Sequence, residues 1–399
     1  MTALPPGGAA TTGSSVTSGE VLERVRGRLI RTGSTPSSSN VAEALRAEGM
    51  VLGDTALMWM VTALRAELAG AGPLEQLLRD ESVTDVLVNG PESVWIDRGA
   101  GLEPAGVTLR DEVAVRRLAQ RMAGLAGRRL DEAAPYVDAR LPDGSRLHAV
   151  IPPVAPRGTC LSIRVPRKRA FTLSELVEAG SLPPAGVAWL RALVLARVAF
   201  LVSGGTGAGK TTLLSCLLSS ADPGERMLIV EDSSELEPVH PHVVRLESRP
   251  PNVEGAGAVS MRDLVRQALR MRPDRLVVGE VRGAEVVDLL AALNTGHEGG
   301  CGTLHANSAA DVPARLEALA LAAGLGREAL HAQVAAGVDA VVHVGRRADG
   351  SRAVAQLCVL GRAGDLLVRA VPALTFHGAE LLEGAGAADL RKRLGRWAP

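Results

Sequence analysis

The stretch Phe200–Leu218 reads FLVSGGTGAGKTTLLSCLL, and it decides the fold. Its first part is short, apolar and partly β-branched, which is typical of a buried strand, while its last part has leucines at helical spacing. Between these parts lie four glycines and a lysine, in the spacing Gly, four residues, Gly-Lys-Thr. The glycines let backbone N–H groups converge on an anion, and the helix start adds unpaired N–H groups. The stretch therefore predicts a buried strand, a phosphate-binding loop and a helix.

The loop residues predict how a nucleotide is held. We expect Lys210 to contact the β- and γ-phosphates of a nucleoside triphosphate, and the Thr211 hydroxyl to bind Mg²⁺. A glycine-rich turn that binds nothing is the alternative, and the lysine followed by threonine disfavours it. The predicted nucleotide-binding residues are Gly204, Gly205, Thr206, Gly207, Ala208, Gly209, Lys210, Thr211 and Thr212.

Composition limits the kind of protein. The chain has 399 residues, which suggests two or three domains, and its formal net charge is zero. A protein that binds nucleic acid mainly through phosphate charge is usually basic, so neutrality disfavours a nucleic-acid partner. The four cysteines form no CxxC pair, which indicates a reducing compartment. The sequence MTALPPGGAATTGSS is unlike a secretory signal, and no stretch reaches the ~20 apolar residues of a transmembrane helix, so we expect a cytoplasmic protein.

The composition and the pattern of apolar residues change along the chain. Residues 1–19 are rich in Pro, Gly, Ser and Thr without periodicity and are predicted to be disordered, and residues 20–71 have a helical pattern. Residues 72–170 mix strand and helix signals, which predicts a small α+β domain, and residues 171–186 look like a linker with a short helix. From residue 187 to residue 399 strands and helices alternate, which predicts an α/β domain with a mostly parallel sheet and the nucleotide at its carboxyl edge.

The elements of the last domain can be bounded from the pattern of apolar residues. The predicted strands are Val198–Val202, Met227–Val230, Val243–Leu246, Leu276–Val278 and Thr303–His305. The predicted helices are Lys210–Leu218, Met261–Met271, Glu285–Leu293 and Asp311–Ala323. Ala340–Val344 and Ala353–Val359 are predicted to form a closing hairpin. Two helices have capping-box signatures, Ser260-x-x-Asp263 and Ser308-x-x-Asp311, which predict their amino-terminal ends.

The acidic residue Glu280 follows the segment Arg275–Gly279, whose central residues are apolar. A phosphate-binding loop needs an acidic partner at the end of a neighbouring strand, and Glu280 is placed at such an end. Its side chain is long enough to contact Mg²⁺ through water or to polarise the attacking water. The alternative is an ordinary charged residue at a strand end, which the loop in the same domain disfavours. We therefore predict that Glu280 is catalytic and a ligand of Mg²⁺.

A second acidic cluster also follows a predicted strand and reads EDSSE from Glu231 to Glu235. Three carboxylates within five residues repel one another unless a cation is nearby, and Mg²⁺ with an attacking water would explain them. We predict that Glu235 is the general base, supported by Glu231 and Asp232. A solvated turn is the alternative.

Two histidines frame the glycine-rich stretch Asn294–His305. His297, Cys301 and His305 are four residues apart, which on a helix would form one metal-binding face, but the glycines disfavour a helix and hence a zinc site. On a strand, Cys301, Thr303 and His305 share one face, where a histidine can hydrogen-bond a phosphate or relay the nucleotide state to a neighbouring subunit. A structural role for either histidine stays open.

Arginines lie in or beside the strand-like segments of the α+β region, at Arg140, Arg146, Arg157 and Arg164. Charge on the γ-phosphate is often met by an arginine finger from another domain or subunit, and one of these could supply it. A surface ion pair is the alternative for each arginine alone. The basic run Arg164–Arg169 could bind nucleic acid, but it has no interleaved aromatic residues for base stacking.

Four motifs, in the order in which they occur along the chain, resemble those of one protein family. GGTGAGKTT, IVEDSSELEP, RMRPDRLVVGEVRGAE and NTGHEGGCGTLHANS look like the secretion ATPases of type II and type IV systems. They look most like the CpaF/TadA-type branch, which serves tight-adherence pili and related conjugation-like machines. GPLEQLLRDESVTDVLVNGPESVWIDR and VDARLPDGSRLHAVIPP resemble the amino-terminal region of that branch. The resemblance covers about Gly72 to Leu360. It departs from the family at Cys301-Gly302, where hydroxyl-bearing residues are expected, and the sequence before Gly72 resembles nothing specific.

The resemblance implies a RecA-like P-loop ATPase domain preceded by a PAS-like α+β domain. Such proteins form hexameric cytoplasmic rings that bind ATP and Mg²⁺ and dock on platform proteins at the inner face of the inner membrane. The resemblance further implies that Glu280 is the Walker B acid, that Glu231–Glu235 form the Asp box, and that His297 and His305 form the His box. The nucleotide-sensing arginines of the amino-terminal domain would be Arg140, Arg146 and Arg164.

Three functions remain open from the sequence. The first is a motor for pilus assembly or protein secretion across the inner membrane, and the second is a conjugation-type nucleic-acid transfer ATPase of the same fold. Neutral charge and the absence of interleaved aromatic residues argue against the second function. The third is a scaffold that binds ATP without hydrolysing it, and the presence of Glu235 together with Glu280 argues against it.

Overall fold

The structure is a computed structural model that describes residues 18–399 except residues 51, 100, 166–170, 252–254, 348 and 379. The segment predicted to be disordered, residues 1–19, lies outside the described residues up to residue 17, and the first helix begins at Ser18. The chain divides into two compact units, Met1–Lys168 and Arg169–Pro399. No helix in the described part of the chain is both long and apolar enough to cross a bilayer.

The described part of the first unit begins with helices that pack together. They are α1 (Ser18–Thr32), α2 (Ser38–Ala47) and α3 (Asp54–Ala69). Each helix contributes an apolar face to a small core that includes Val25, Leu45 and Leu64. The hydroxyl of Ser37 accepts a hydrogen bond from the N–H of Asn40 and so caps α2.

A mixed α+β layer follows these helices. Its elements are a 3₁₀ turn (Gly72–Leu74), α4 (Glu75–Arg79), β1 (Asp85–Val88), β2 (Val94–Asp97), β3 (Leu102–Pro104), α5 (Glu112–Leu125), β4 (Tyr136–Arg140), β5 (Arg146–Val150) and β6 (Cys160–Arg164). The strands form an antiparallel sheet in the order β3-β2-β1-β6-β5-β4. Alternate residues of β4, β5 and β6 are buried, and Leu118 and Met122 of α5 share a core with Leu147 and Ile163.

The second unit alternates strands and helices before it ends in antiparallel strands. Its elements are α6 (Leu173–Glu178), α7 (Pro184–Leu195), β7 (Phe200–Gly204), α8 (Lys210–Leu218), β8 (Met227–Glu231), β9 (Val243–Glu247), α9 (Met261–Leu269), β10 (Arg275–Val281), α10 (Glu285–Leu293), β11 (Cys301–His305), α11 (Val312–Ala322), α12 (Arg327–Gly337), β12 (Ala340–Arg346), β13 (Arg352–Arg362), β14 (Val368–His377), β15 (Glu380–Glu383) and α13 (Ala387–Leu394). A 3₁₀ turn at Gly395–Trp397 follows α13.

The described strands of this unit form one sheet in the order β15-β14-β13-β12-β7-β11-β10-β8-β9. The strands from β12 to β9 in this order run parallel, and β13, β14 and β15 are added antiparallel. β7 and β8 are buried at every residue, as expected for central parallel strands with cores on both faces. Phe200 and Val202 belong to one core and Leu201 to the other. The predicted α/β fold with a mostly parallel sheet is thus confirmed.

Some elements of this unit are missing from the sequence prediction. α12 was not predicted because Leu330 and Val334 are its only large apolar residues, which gives a weak helical period. β14, β15 and α13 follow the predicted hairpin and were not predicted either. The segment 171–186, by contrast, is predicted to be a linker with a short helix, and it contains α6; its Leu176 and Leu182 are buried in one of the two cores.

The two predicted capping boxes have different outcomes. Ser260 and Asp263 form the box at the start of α9, as predicted. Ser308 and Asp311 also bond to each other, but they lie in the turn before α11, which begins one residue after Asp311. The predicted N-cap of this helix, Ser308, is therefore wrong, because the N-cap is Asp311. Pro313 suits the first helical turn, because its missing N–H would have no intrahelical partner there.

Candidate functional site

The phosphate-binding loop lies at the carboxyl edge of the parallel sheet, between β7 and α8. A Cβ atom at Gly204 would lie 2.3 Å from the carbonyl oxygen of Val344 on β12, so only glycine fits there. Gly209 caps α8 with a φ of +97°, in the left-handed region that favours glycine. Ala208 is buried in a core, whereas Gly205 is exposed. The loop therefore presents its backbone at a helix amino terminus, where anions bind.

The side chain of Lys210 lies against this loop and is buried. Its ammonium donates hydrogen bonds to the carbonyl oxygens of Gly204 and Gly205, at 3.1 Å and 2.9 Å. The Nζ atom also lies 3.3 Å from Nε2 of His305. Thr211 is half-buried in the first turn of α8. The other predicted loop residues that are exposed or half-buried are Thr206, Gly207, Gly209 and Thr212.

Glu280 lies near the end of β10, on the strand next to β11. Its Oε1 atom is 2.7 Å from Nε2 of His305, and Arg282 donates a hydrogen bond to its Oε2 atom. Oε1 is buried, and no described donor makes a well-aligned hydrogen bond to it. Burial and the charge of Lys210 lower the pKa of His305, so its ring is neutral at pH 7. The structure thus brings Lys210, His305 and Glu280 into one contact network.

Glu231 ends β8, and its carboxylate is buried, since the residue is only 4% exposed. Its Oε1 atom accepts hydrogen bonds of 3.0 Å from the N–H groups of Glu235 and Leu236, which shape the acidic cluster. Its Oε2 atom is buried without a hydrogen-bond partner among the described residues. Burial raises the pKa of Glu231 to about 7, although the two N–H groups oppose the shift. Glu231 therefore holds the cluster and keeps one oxygen for a ligand.

The glycine before Glu280 is required by Glu231. A Cβ atom on Gly279 of β10 would lie 2.5 Å from Cγ of Glu231 on the neighbouring strand β8. The hydrogen bond to Glu280 raises the pKa of Arg282, and the charge of Glu235 adds to this effect. The charge of Glu235 also raises the pKa of Glu231. The acidic cluster and the end of β10 are therefore close enough to act on each other electrostatically.

These oxygen atoms fit a hard divalent cation that is bound together with a triphosphate. Mg²⁺ takes oxygen ligands and is usually held by one or two carboxylates together with phosphate oxygens and water. The hydroxyl of Thr211, the unpartnered Oε2 atom of Glu231 and the Oε1 atom of Glu280 beside His305 are ligands of this kind. The described residues contain no group of three or more His, Cys, Asp or Glu that could hold a metal alone. The residues therefore suit a metal that binds with its phosphates.

The two histidines of the glycine-rich stretch lie towards opposite ends of β11. His305 ends the strand beside the loop, whereas Cys301 begins it beside Phe200. His297 precedes Cys301, and its Nδ1 atom lies 3.2 Å from the carbonyl oxygen of Ala292 on α10. A strand of five residues spans roughly 13 Å, so Cys301 and His305 cannot share a metal, and the zinc alternative is wrong. The structure does not bring His297 to the loop, and its role stays a prediction.

Some contacts of the loop involve residues that the sequence did not single out. Arg346 of β12 donates a hydrogen bond of 3.2 Å to the carbonyl oxygen of Gly207. Nδ1 of His343 on the same strand lies 2.9 Å from the hydroxyl of Ser203, just before the loop. Arg282 could have been noticed, because it lies two residues after Glu280 in the same motif. Arg346 and His343 carry no such signal, since they meet the loop only through strand pairing.

In the first unit, predicted arginines lie in one row across neighbouring strands. The register pairs Arg140 of β4 with Arg146 of β5, and Arg146 with Arg164 of β6. Paired residues point to the same face, with Cβ atoms about 5 Å apart. Nη2 of Arg146 also lies 3.6 Å from Oδ2 of Asp138, and Arg157 lies outside the strands, before β6. The row places three guanidinium groups on one face, where Asp138 of β4 and Asp85, which is paired with Arg164, also lie.

The chain matches the family described as "Type II/IV secretion system protein" over residues 67–363. It is 57% identical over 319 residues to the putative conjugal transfer protein Rv3659c of Mycobacterium tuberculosis, a match that covers 78% of this chain and 91% of that protein. It is 36% identical over 307 residues to the type IV secretion system protein PtlH homologue of Bordetella bronchiseptica, covering 69% of this chain and 89% of that protein.

A solved structure with a similar fold is the X-ray structure of the ATPase DotB from Legionella pneumophila. The TM-score is 0.51 at 20% sequence identity, and the match covers 73% of this chain and 80% of that chain. At this identity the likeness concerns the fold, which is α/β in both proteins.

Proposed function

Because the chain belongs to the type II/IV secretion system protein family, we propose that it is an ATPase that powers pilus assembly or protein secretion across the inner membrane. The observation that supports hydrolysis most strongly is the contact network of Lys210, His305 and Glu280 beside the phosphate-binding loop. An ammonium, a neutral imidazole and a carboxylate are groups that phosphoryl transfer uses to hold phosphate and orient water. A scaffold that only binds nucleotide has no need of this half-buried carboxylate.

The proposal gives each group of the site a task. The N–H groups of the loop and of the start of α8 bind the β- and γ-phosphates, and Lys210 exchanges loop carbonyls for phosphate oxygens. Mg²⁺, when bound, neutralises charge on the phosphates, with Thr211 and Glu280 as its protein ligands, the latter directly or through water. Glu235 accepts the proton of the attacking water, while Glu231 holds the backbone of the acidic cluster.

The proposal extends to a cytoplasmic hexameric ring that docks on platform proteins of the inner membrane. The row of Arg140, Arg146 and Arg164 supports it, because γ-phosphate charge is commonly met by arginines from another domain or subunit. Loss of the γ-phosphate would then release these arginines and allow movement. The tight-adherence branch, and with it the pilus role, is supported by the resemblance of the motifs.

Conjugation-type transfer of nucleic acid is the second candidate function. It is favoured by the Mycobacterium relative, which is 57% identical and is named a putative conjugal transfer protein. The zero net charge of the chain disfavours direct binding to the phosphates of DNA. In this alternative the chain supplies energy to a transfer machine without binding the nucleic acid itself.

Release of inorganic phosphate from ATP by the full chain tests the proposal. We expect turnover that depends on Mg²⁺, stops when the metal is chelated, and is the same with and without DNA. Nucleotide binding without phosphate release would favour the scaffold and contradict the proposed ATPase. Turnover that DNA stimulates, with the steep salt dependence of phosphate contacts, would instead favour a motor that acts directly on nucleic acid.

A further inference from the structure

The loop between β8 and β9 carries the acidic cluster, and residues 232–242 of this loop contain neither helix nor strand. The N–H groups of such a segment need partners other than a backbone ladder. Two of them, from Glu235 and Leu236, donate to the carboxylate of Glu231. Glu231 lies on the strand that precedes the loop, so these bonds tie the loop only to its own start.

The following N–H groups of the loop are held by a different element. The N–H of Glu237 donates to the hydroxyl oxygen of Ser215, at 3.2 Å, and the N–H of Val239 donates to the hydroxyl oxygen of Ser219, at 2.9 Å. The hydroxyl of Ser219 in turn donates to the carbonyl oxygen of Ser215, at 2.8 Å. Ser215 is buried on α8, and Ser219 is the C-cap of this helix, one turn further on. The two hydroxyls therefore form a ladder that joins the loop to α8.

We propose that Ser215 and Ser219 are positioning residues that fix the proposed general base, Glu235, relative to the triphosphate. The inference rests on the proposed function, in which the amino terminus of α8 holds the phosphates and Glu235 activates water. A helix is stiff, so a loop fastened to α8 keeps its distance from Lys210 when the rest of the unit moves. Ser215 lies more than one turn after Lys210. The serines therefore act through the loop.

The loop has enough other partners to survive the loss of one serine. Nη2 of Arg245 lies 2.8 Å from Oε2 of Glu237 and holds the loop from β9. Ser248 donates a hydrogen bond of 3.0 Å to the carboxylate of Asp232 at the start of the loop. Because these contacts and the Glu231 bonds remain, we expect serine variants to fold. The loop should become mobile at Glu237 and Val239, where the serine bonds are lost, and this mobility should loosen the position of the nearby Glu235.

Steady-state kinetics and hydrogen exchange of full-length variants test the proposal. Ser215→Ala and Ser219→Val remove one hydroxyl each, Ser219→Thr keeps it in nearly the same volume as valine, and Ser220→Ala is a matched control. For Ser215→Ala and Ser219→Val we expect kcat to fall about 10-fold, because misplacing a catalytic group slows the chemical step. The Kd of a non-hydrolysable Mg²⁺–ATP analogue should stay within about twofold, since the ground-state contacts are kept.

Amide exchange supplies a second readout, at the groups that the serines bind. The N–H of Glu237 should exchange faster in Ser215→Ala, and that of Val239 faster in Ser219→Val, while Ser219→Thr should restore both exchange and kcat. An unchanged kcat with faster exchange, or an equal fall in kcat for the threonine and valine variants, would overturn the positioning role. Glu235→Gln separates the role of Glu235 as general base from the positioning role of the serines, because full turnover in that variant would show that Glu235 is not the base. Full turnover in the serine variants beside an inactive Glu235→Gln refutes only their positioning role.

Discussion

The two edges of the parallel sheet in the second unit bury charge in opposite ways. At the amino edge, Arg275 is completely buried, and each of its side-chain nitrogens has a partner. Nε donates to the carboxylate of Glu225 at 2.9 Å, Nη1 to the carbonyl oxygen of Gly299 at 2.7 Å, and Nη2 to the carbonyl oxygen of Val194 at 3.0 Å. This arginine fastens a helix end and two loops to the start of β10.

At the carboxyl edge, buried charges are left with unused bonding capacity. Glu231 and Glu280 each keep one buried oxygen without a hydrogen-bond partner among the described residues, and Lys210 is buried beside His305, which contacts Glu280. A buried charge destabilises a fold unless it is paired and hydrogen-bonded. The comparison teaches that Arg275 at the amino edge uses buried charge for stability, whereas Glu231 and Glu280 at the carboxyl edge give up stability for oxygens that can bind a ligand. Substitutions at the amino edge should therefore lower the free energy of unfolding, and substitutions at the carboxyl edge should lower kcat.

The largest effect is expected for Lys210→Ala. The ammonium is the proposed contact to the β- and γ-phosphates, so its loss should lower kcat by about 10³-fold. The free energy of unfolding should change by no more than about 1 kcal/mol, because a buried charge is removed together with its contacts. Phosphate release and urea denaturation measure the two quantities, with the exposed Lys392→Ala as control. Full ATPase activity in Lys210→Ala would refute the site, and the comparison of the two edges with it.

Arg275→Met should show the reverse behaviour. The change removes three hydrogen bonds and leaves the mostly buried carboxylate of Glu225 with only the Nε atom of Arg197, 3.9 Å away, among the described residues, so the free energy of unfolding should fall by about 3–5 kcal/mol. Below the unfolding transition, kcat per folded molecule should stay near the wild-type value. Arg191→Met, at an exposed position of α7, is the matched control in urea titrations. Equal stability of the two variants would show that the amino edge is not held by this arginine.

Glu280→Gln separates chemistry from folding at the carboxyl edge. The amide keeps the shape of the side chain and an oxygen that can accept from Arg282, but it loses the negative charge that would hold Mg²⁺ or polarise water. We expect kcat to fall about 10²-fold while stability is kept or slightly raised. Glu328→Gln on the exposed face of α12 controls for the loss of a surface charge. A large loss of stability in Glu280→Gln would mean that this carboxylate stabilises the fold, as Arg275 does at the amino edge.

The parts of the site that the sequence predicted are those with a local pattern. α8 begins at Lys210 and ends at Leu218, as the spacing of its leucines predicted, and β10 carries Glu280 towards the same edge of the sheet. Strand alternation with a glycine-rich turn was enough to predict the parallel sheet, because these signals lie within a few residues of one another.

The parts that the sequence could not predict depend on pairing between distant strands. The burial of Glu231 requires Gly279 on β10, and the serine bonds to the acidic loop depend on how α8 packs. The separation of His297 from His305 follows from the bounds of β11 alone. Four-residue spacing could not show it, since the same spacing would place the residues together on a helix.

The smallest effect is a pH dependence of stability caused by Glu231. Burial raises its pKa from 4.5 to about 7, so between these values the folded state binds a proton that the unfolded state has released. The free energy of unfolding of the wild type should therefore fall, relative to Glu231→Gln, as pH rises from about 5 to 8. Glutamine can still accept the N–H groups of Glu235 and Leu236, so the variant keeps the shape of the cluster.

Urea titrations of wild type and Glu231→Gln at a series of pH values measure this difference. It should grow by roughly 2 kcal/mol across the interval and level off above pH 7, where the folded carboxylate is already ionised. Glu328→Gln, titrated alongside, controls for the loss of one carboxylate. A constant difference between wild type and Glu231→Gln would mean that the buried oxygen is ionised at little cost. In that case the carboxyl edge would not give up stability at this residue, and the contrast with Arg275 would rest on Glu280 and Lys210 alone.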